Sequence, residues 1–263
     1  MNLGGRTALL TGASGGLGQA IARALAGRGA RLVLAARRVD VLEPLAEELG
    51  GRALAVDLSE RDAVARLADD AGPVDALVAT AGIPASGVIG SFSVAEIDRA
   101  LDVNLRAPLV LARLLCEGMA DRGGGHIVFM SSLSGKAGTP GTSIYAATKF
   151  GLRGFAQSLR EDLRPRGVGV STVFPGFIRD AGMFHESGAR LPGYLRTKRP
   201  DDVARAVVRA IEHDRSEIDV APLPLRIGTA FAGLAPELSA IVQRRLGATG
   251  VASQFEHGQR DKR

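Results

Sequence analysis

Short apolar runs that alternate with longer amphipathic stretches constrain the fold of this chain most strongly. Six mostly apolar runs predict buried strands, at residues 7–10, 32–36, 53–56, 76–79, 127–130 and 168–174. Between them, apolar residues recur about every 3.6 positions, which is typical of helices with one buried face, at residues 17–25, 41–49, 63–71, 94–119 and 144–163. Strands that are apolar on both faces and joined by helices predict a doubly wound α/β fold with a parallel sheet.

After the sixth run the apolar spacing becomes irregular, which predicts a lid. Residues 175–199 are rich in Gly and Pro, whereas residues 201–212 resume a helical spacing. Residues 218–220 predict a seventh strand and residues 234–246 a further helix. We therefore expect one domain over residues 1–263, with a substrate lid at residues 181–199 and a C-terminal helical extension at residues 222–263.

Composition excludes several classes of protein. With 46% hydrophobic and 23% charged residues, the chain is not expected to be disordered, and no apolar run approaches the roughly 18 residues of a membrane-spanning helix. The N-terminus lacks the pattern of a secretory leader, so we expect a cytoplasmic location. The single cysteine, Cys116, predicts core packing rather than a disulfide or a zinc site, and no metal is expected.

The charge balance argues against a nucleic-acid binder. The net charge is +5, and the arginines are scattered among acidic residues instead of being grouped in a binding module. Only residues 196–199 and 259–263 are locally basic, and both are interpreted as solvated segments. We therefore expect no nucleic-acid partner.

A glycine-rich turn directly after the first strand predicts phosphate binding. It reads Thr11-Gly12-Ala13-Ser14-Gly15-Gly16-Leu17-Gly18, and a helical pattern begins at once behind it. Glycines let the backbone approach a pyrophosphate, whose charge then meets exposed N–H groups and the positive end of the helix dipole. The alternative is a plain strand-to-helix turn that needs glycine only for its backbone angles. Four glycines in this position favour the nucleotide site.

The end of the second strand indicates which dinucleotide binds. An Asp or Glu would accept a ribose 2′-hydroxyl, but Ala36 stands there and Arg37 follows it. A guanidinium at this place would pair with the 2′-phosphate of NADP(H). We therefore predict NADP(H) over NAD(H), the alternative being that Arg37 and Arg38 form only a solvated loop.

Tyr145 and Lys149 form the strongest catalytic signal. They stand four residues apart at the start of a predicted helix, which places them on one face. The chain has two tyrosines and four lysines, so this pairing is rare by chance. An ammonium one turn away favours the phenolate, and we expect Lys149 to lower the Tyr145 pKa from about 10 toward neutrality. Tyr145 would then serve as general acid or base.

These motifs resemble the short-chain dehydrogenase/reductase family, in its single-domain branch with TGxxxGxG and YxxxK motifs, over roughly residues 3–220. The resemblance implies a Rossmann fold of about seven strands and an oxidoreductase acting on CH–OH groups. It assigns the cofactor turn to Thr11, Gly12, Ser14, Gly16, Leu17 and Gly18, an adenine contact to Asp57, and a backbone clamp on the nicotinamide to Pro175, Gly176 and Ile178. It adds two residues to the catalytic pair: Ser132, which orients the substrate carbonyl, and Asn104, which serves the proton relay. Tyr145 and Lys149 also contact the cofactor in this family.

Two positions depart from the family pattern. The usual Asn-Asn-Ala-Gly after the fourth strand is Ala79-Thr80-Ala81-Gly82, which keeps small residues, Ala81 and Gly82, beside the cofactor. The threonine common after the Pro-Gly segment is Asp180, whose charge would repel a pyrophosphate unless it is turned away or paired with Arg179. Alternatively, Asp180 caps the next helix.

The expected reaction interconverts a ketone and a secondary alcohol. NADPH would supply hydride, Tyr145 would protonate the oxygen, Ser132 would polarise the carbonyl, and Lys149 would also hold the nicotinamide ribose. An apolar inner face of the lid would favour a lipophilic substrate, such as an acyl, steroid or polyketide-like molecule, or else its residues pack on the protein itself. These residues are Met183, Phe184, Leu191, Tyr194 and Leu195.

Other functions and partners stay open. A nucleotide-sensing or scaffold protein could use the same fold without turnover, although the intact Ser132, Tyr145 and Lys149 argue against it. Residues 223–246, which include Arg244 and Arg245, could lie on a membrane surface, although Pro236 and Glu237 favour an ordinary surface helix. The resemblance implies a homodimer or homotetramer formed through residues 94–119 and 144–163.

Overall fold

Seven parallel strands form the centre of the molecule. The computed structural model describes residues 1–189, 191, 196–245 and 248–259, and its strands run in the order β3-β2-β1-β4-β5-β6-β7. They are β1 (Thr7–Thr11), β2 (Arg31–Ala36), β3 (Arg52–Ala55), β4 (Ala76–Ala79), β5 (Gly125–Met130), β6 (Val168–Pro175) and β7 (Glu217–Val220). The predicted doubly wound α/β fold is confirmed.

Eleven helices are present in the described part of the chain. They are α1 (Gly16–Ala26), α2 (Val39–Glu48), α3 (Arg61–Ala71), α4 (Val94–Leu101), α5 (Ala107–Asp121), α6 (Ser143–Leu163), α7 (Gly182–Ser187), α8 (Pro200–Glu212), α9 (Leu223–Leu234), α10 (Pro236–Arg245) and α11 (Ala248–Gln259). None of the described helices is long and apolar enough to cross a bilayer.

Helices cover both faces of the sheet because its strands are apolar on both sides. In β1, Ala8 and Leu10 face a core formed with α1, α2 and α8. Leu9, between them, faces a second core formed with α3, α5 and α6, where Cys116 is buried as a free thiol. Successive side chains of a strand point to opposite faces, so one continuous apolar run supplies both cores.

The strand order places a crevice between β1 and β4. From β1 the chain builds the sheet outward through β2 and β3, and from β4 it builds in the other direction. Loops at the carboxyl ends of these two strands therefore diverge, which is where open parallel sheets bind their ligands. The predicted glycine turn and the Ala81-Gly82 segment follow β1 and β4 directly.

The helix predicted over residues 94–119 is not continuous. Residues Asp102–Arg106 form a π-helical turn between α4 and α5, in which the Ala107 N–H donates to the Asp102 carbonyl. Pro108 has no N–H to give to the carbonyl of residue 104, so the ordinary helical ladder cannot run through this point. The prediction of one helix was wrong because Pro108 stands in the middle of the predicted segment.

The C-terminal extension also differs from the prediction of one helix over residues 234–246. The structure has α9 before that segment and begins α10 at Pro236, because proline fits the first turn of a helix but not its interior. A third helix, α11, returns to the lid. Residues 246–247 lie outside the described part of the chain.

His126 in β5 makes folding stability depend on pH. Its ring is buried, and Nε2 lies 2.8 Å from the Ser171 hydroxyl of β6. Burial lowers the pKa of His126 from 6.5 to about 4, although the Asp214 carboxylate, 4.0 Å away, opposes this. Because the pKa of His126 is lower in the folded chain than in the unfolded chain, only the unfolded chain binds a proton at His126 as pH falls from about 6.5 to about 4.

We predict that proton uptake by His126 in the unfolded chain lowers the free energy of unfolding of the wild type by about 3 kcal/mol as pH falls from 6.5 to 4. Urea unfolding at several pH values should therefore show a steeper acid loss for wild type than for His126→Gln, whose amide reaches toward Ser171 as Nε2 does but does not titrate. Parallel stability curves for the two proteins would contradict a buried neutral histidine.

Candidate active site

Ser132 and Tyr145 meet at the carboxyl end of β5. Ser132 follows the strand and begins a short 3₁₀ turn, where its hydroxyl also accepts from the Ser134 N–H at 3.2 Å. Tyr145 lies in the first turn of α6, and its phenol is close enough to the Ser132 side chain for Ser132 to lower its pKa. The structure thus brings together two hydroxyl groups that the sequence separates by 13 positions. A carbonyl oxygen placed between them would have two donors within reach.

Lys149 is fixed one turn further along α6. Its ammonium is buried and donates to the Met130 carbonyl at 2.9 Å, while its own carbonyl accepts from the Ser131 hydroxyl at 3.0 Å. The nitrogen lies 5.6 Å from the centre of the Tyr145 ring. These contacts lock α6 onto the end of β5 and place the ammonium on the same side as the phenol.

The pKa of Tyr145 differs from the sequence prediction. Burial raises it from 10.0 to about 12, and the Ser132 side chain only partly opposes this. Burial also lowers the pKa of Lys149 to about 8. The prediction that the Tyr145 pKa is lowered was wrong for the protein without bound ligand. The loss of solvent around the phenol raises the pKa more than the Lys149 ammonium, which is directed at Met130, could lower it. Tyr145 is therefore protonated at neutral pH.

Asn104 lies on the π-helical turn and uses its side chain to hold the β4 loop. Its Oδ1 accepts from the Ile83 N–H at 2.7 Å, and its Nδ2 donates to the Ile83 carbonyl at 2.9 Å. A side chain at neighbouring Gly82 would meet Asn104 Oδ1, the Met183 methyl and Lys149 Nζ within 3.8 Å. Asn104 and Lys149 therefore converge on Gly82, beside Tyr145.

The glycine turn between β1 and α1 is shaped for close backbone approach. Gly12 has a φ of +70°, and a Cβ there would lie 2.8 Å from the Ala81 backbone. A Cβ at Gly18 would lie 2.2 Å from the Gly12 carbonyl. The Thr11 hydroxyl accepts from the Ala81 N–H at 3.3 Å, which joins the β1 and β4 loops. The first turn of α1 contains no acidic residue, so its free N–H groups suit an anion.

Thr80 supplies an independent sign of a ligand in this crevice. Its hydroxyl is buried and has no hydrogen-bond partner among the described residues. Buried polar atoms in folded proteins are almost always hydrogen-bonded, so this oxygen is available to a bound molecule. It lies in the segment where the chain departs from the usual Asn-Asn-Ala-Gly pattern.

Two arginines at the end of β2 make different contacts. Arg37 Nη1 lies 3.8 Å from Asp57 Oδ2. Arg38, for which the sequence predicted no role of its own, donates to the Ser14 carbonyl and reaches its hydroxyl at 3.4 Å. Only its position next to Arg37 pointed to this role in the sequence. Arg38 therefore lies at the edge of the glycine turn, whereas Arg37 faces Asp57.

Asp57 also takes bonds from Ser59, whose N–H and hydroxyl donate to Oδ1 at 2.9 and 2.8 Å. Burial raises the pKa of Asp57, but the Ser59 bonds and the charge of Arg37 outweigh it, so the pKa lies below its usual value. Asp57 is therefore an anion whose two oxygens already have partners. It lies after β3, beside the end of β2.

The segment after β6 forms the wall of the crevice that faces the glycine turn. Gly176 N–H donates to the Val220 carbonyl at 3.1 Å, and Ile178 is buried and bridges to Lys198. A side chain at Gly16 would lie 2.6 Å from the Ala181 methyl, so the start of the lid lies against the glycine turn. Pro175 ends β6, and the three predicted clamp residues therefore lead directly into the lid.

Asp180 is paired with Arg179, which is one of the two arrangements that would keep its charge from repelling a pyrophosphate. Its φ is 68°, its carboxylate is mostly exposed, and Oδ2 lies 3.5 Å from Arg179 Nε. The capping alternative was wrong, because Ala181 occupies the N-cap of α7 and no side chain caps that helix. The charge of Asp180 is therefore partly neutralised where it follows the predicted clamp.

The predicted lid residues point in different directions. The Met183 methyl approaches Gly82 and so reaches the catalytic group. Phe184 instead packs on the protein, with ring centres 5.3 Å from Phe177 and 5.8 Å from Phe255 of α11. The Gln259 side chain of α11 donates to the Met183 carbonyl at 2.9 Å. Leu191 is half-buried, and Tyr194 and Leu195 lie outside the described residues.

Comparisons with known proteins point to one family. The family model described as short chain dehydrogenase matches residues 6–191. Ketoacyl reductase HetN of a Nostoc species is 38% identical over 232 residues, which cover 85% of this chain and 81% of the relative. 3-Oxoacyl-[acyl-carrier-protein] reductase FabG of Rickettsia conorii is 34% identical over 181 residues, or 68% and 75% of the two chains. A solved short chain dehydrogenase/reductase family protein superposes with a TM-score of 0.76 at 33% identity, covering 84% of this chain and 97% of that one.

We predict that Asn104→Ala lowers the free energy of unfolding by about 2–4 kcal/mol. The substitution leaves the buried N–H and carbonyl of Ile83 without partners, and each unsatisfied group costs about 1–3 kcal/mol. Urea unfolding measures the loss. A matched control is Asn2→Ala, which removes an exposed side-chain bond to the Gly4 N–H and should change stability by less than about 0.5 kcal/mol. Equal stability of the two variants would contradict a structural role for Asn104.

Proposed function

The chain belongs to the short-chain dehydrogenase/reductase family, and we propose that it reduces a lipophilic ketone to a secondary alcohol with NADPH, using Tyr145 as the general acid. The family implies a nicotinamide cofactor and chemistry on CH–OH groups. The observation that carries the proposal is the meeting of the Tyr145 phenol with the Ser132 side chain, with Lys149 fixed one helical turn away. A sensor or scaffold without turnover would not need these three groups to be assembled at one edge.

The residues present suit a nicotinamide dinucleotide. The glycine turn and the N-terminus of α1 would hold the pyrophosphate, and Asp57 lies where the adenine would end. Gly82, the unpartnered Thr80 hydroxyl and the segment Pro175, Gly176 and Ile178 border the crevice toward Tyr145. NADPH supplies hydride when it is bound.

The proton comes from the protein in this proposal. Tyr145 is protonated at neutral pH and would give its proton to the carbonyl oxygen, while the Ser132 hydroxyl donates a second hydrogen bond to the same oxygen. The buried ammonium of Lys149 would stabilise the phenolate that results, and its position also suits contact with the nicotinamide ribose. Asn104 positions Gly82 and Ile83 beside these groups.

The substrate class rests on the relatives and on the lid. Two relatives are named as reductases of ketoacyl or 3-oxoacyl groups. The Met183 methyl faces the catalytic group and offers an apolar contact to a chain next to the carbonyl. We therefore infer a 3-oxoacyl thioester as the first substrate to test, with larger lipophilic ketones as the alternative. Acetoacetyl-coenzyme A with NADPH is a direct assay.

We also propose that the protein acts as a homo-oligomer. Leu114 on α5 and Phe150 on α6 are large apolar side chains that remain more than 40% exposed in the single chain. Both helices belong to the segments through which the family's subunits associate. Light scattering of the purified protein tests the assembly directly.

We predict that Tyr145→Phe lowers turnover of acetoacetyl-coenzyme A by about 10²–10⁴-fold. The ring stays in place, but the proton donor to the carbonyl oxygen is lost. Binding of NADPH, followed by the fluorescence of the cofactor because the protein has no tryptophan, should stay within about threefold of wild type. Near-normal turnover in this variant would rule out Tyr145 as the acid.

We propose NADP(H) over NAD(H) because Ala36, and not an acid, ends β2, and Arg37 and Arg38 follow it where a 2′-phosphate would lie. Arg37→Glu should weaken NADPH binding at least about tenfold while changing NADH binding little, since only NADPH carries the phosphate. Arg66→Glu on the exposed side of α3 makes the same change in net charge and should affect neither cofactor. Equal losses for both cofactors in Arg37→Glu would overturn the preference.

A further inference from the structure

Helix α9 presents an apolar stripe to solvent. It carries one charged residue, Arg226, yet only Ala232 among its residues is buried. Leu223, Ile227, Phe231 and Leu234 follow one another at spacings of three or four residues, so they share one side of the helix. Their exposed fractions are 63%, 62%, 43% and 87%, and Leu238 and Ile241 of α10 are exposed as well. A helix that stays in water normally carries polar residues on its outer face.

A basic cleft adjoins the start of this stripe. It has a volume of about 540 Å³ and is lined, among the described residues, by Arg179, Arg196, Thr197, Lys198 and Pro222. Three of these five are basic and none is acidic, although Asp180 pairs with Arg179. Pro222 is the N-cap residue of α9, so the positive charge lies at the end of the helix where Leu223 is exposed.

We propose that the apolar stripe of α9 and α10, together with this cleft, docks the protein onto an anionic lipid surface. An amphipathic helix beside basic residues is the usual device for lying in the interface of a membrane without crossing it. The apolar side chains would enter the boundary between headgroups and acyl chains. Arg196 and Lys198 would contact lipid phosphates.

Charge favours lipid over a second copy of the chain as the occupant. A two-fold interface joins the same patch on both subunits, so a copy seated here would bring the same positive rim with it. An anionic membrane complements that rim. Self-association has other surfaces available, since α5 and α6 also expose large apolar side chains at Leu114 and Phe150.

The docking surface lies beside the candidate site. Ala221, just before α9, packs against Gly176, because a side chain at Gly176 would lie 3.1 Å from its methyl. Arg179 of the cleft follows Ile178 at the same wall. A membrane held against the stripe would therefore lie near the wall that leads into the lid. The inference is independent of the proposed reaction, since its test measures membrane binding and not turnover.

Co-sedimentation of the full chain with vesicles tests the proposal. We expect the protein to sediment with vesicles of phosphatidylcholine and phosphatidylglycerol, less with phosphatidylcholine alone, and less again as salt rises. The double variant I227S/F231S should lose binding by at least about tenfold on both kinds of vesicle. R196Q/K198Q should lose binding only on anionic vesicles, together with its salt dependence. V94S, a 74% exposed residue on α4, is the matched control and should bind as wild type.

Several outcomes would overturn the proposal. If the wild-type protein stays in solution with both kinds of vesicle, it has no lipid-binding surface. If I227S/F231S binds vesicles as well as wild type does, the lipid contact lies elsewhere on the protein. If light scattering shows that I227S/F231S splits a wild-type oligomer that does not bind vesicles, the stripe is a subunit interface. Because these side chains are exposed, the variants should unfold at the wild-type urea midpoint. L234S, at the most exposed position, provides a milder second test.

Discussion

The buried ammonium of Lys149 is the constraint on which the candidate catalytic edge depends. A charge removed from water must be hydrogen-bonded, and here the Met130 carbonyl at the end of β5 is the acceptor. The Ser131 hydroxyl returns a bond to the Lys149 carbonyl, so α6 cannot slide along the sheet without losing both. Gly135 must be glycine for the same reason, because a Cβ there would lie 2.4 Å from the Ser131 hydroxyl. Held in this way, α6 presents Tyr145 to Ser132.

Much of this arrangement follows from sequence because its physical causes are local. Apolar runs specify strands, and a glycine turn between a strand and a helix specifies an N-terminus with free donors, as at Gly12. The four-residue spacing of Tyr145 and Lys149 places them on one helix face whatever the rest of the chain does. The meeting of Ser132 with Tyr145 depends on tertiary contacts, and the sequence indicated it only through family resemblance.

The failures have a different physical origin. The pKa of Tyr145 depends on how completely the fold removes water from the phenol, which spacing along a helix does not encode. The break at Asp102–Arg106 depends on Pro108 and on the fit of Asn104 to Ile83, a residue 21 positions away. The sequence left open what lies against α9, because apolar periodicity shows that a helix has an apolar face but not what covers it.

The protonation states of Tyr145 and Lys149 connect the burial of the site to its function. In the free protein, burial keeps the phenol neutral and weakens the ammonium, so both changes come from one cause, the exclusion of water. A neutral phenol beside Ser132 is in the form that can donate a proton, whereas accepting a proton requires the phenolate. The exclusion of water that accompanies the packing of α6 on β5 therefore keeps Tyr145 in its acid form, and any positive charge brought beside Tyr145 would favour the phenolate.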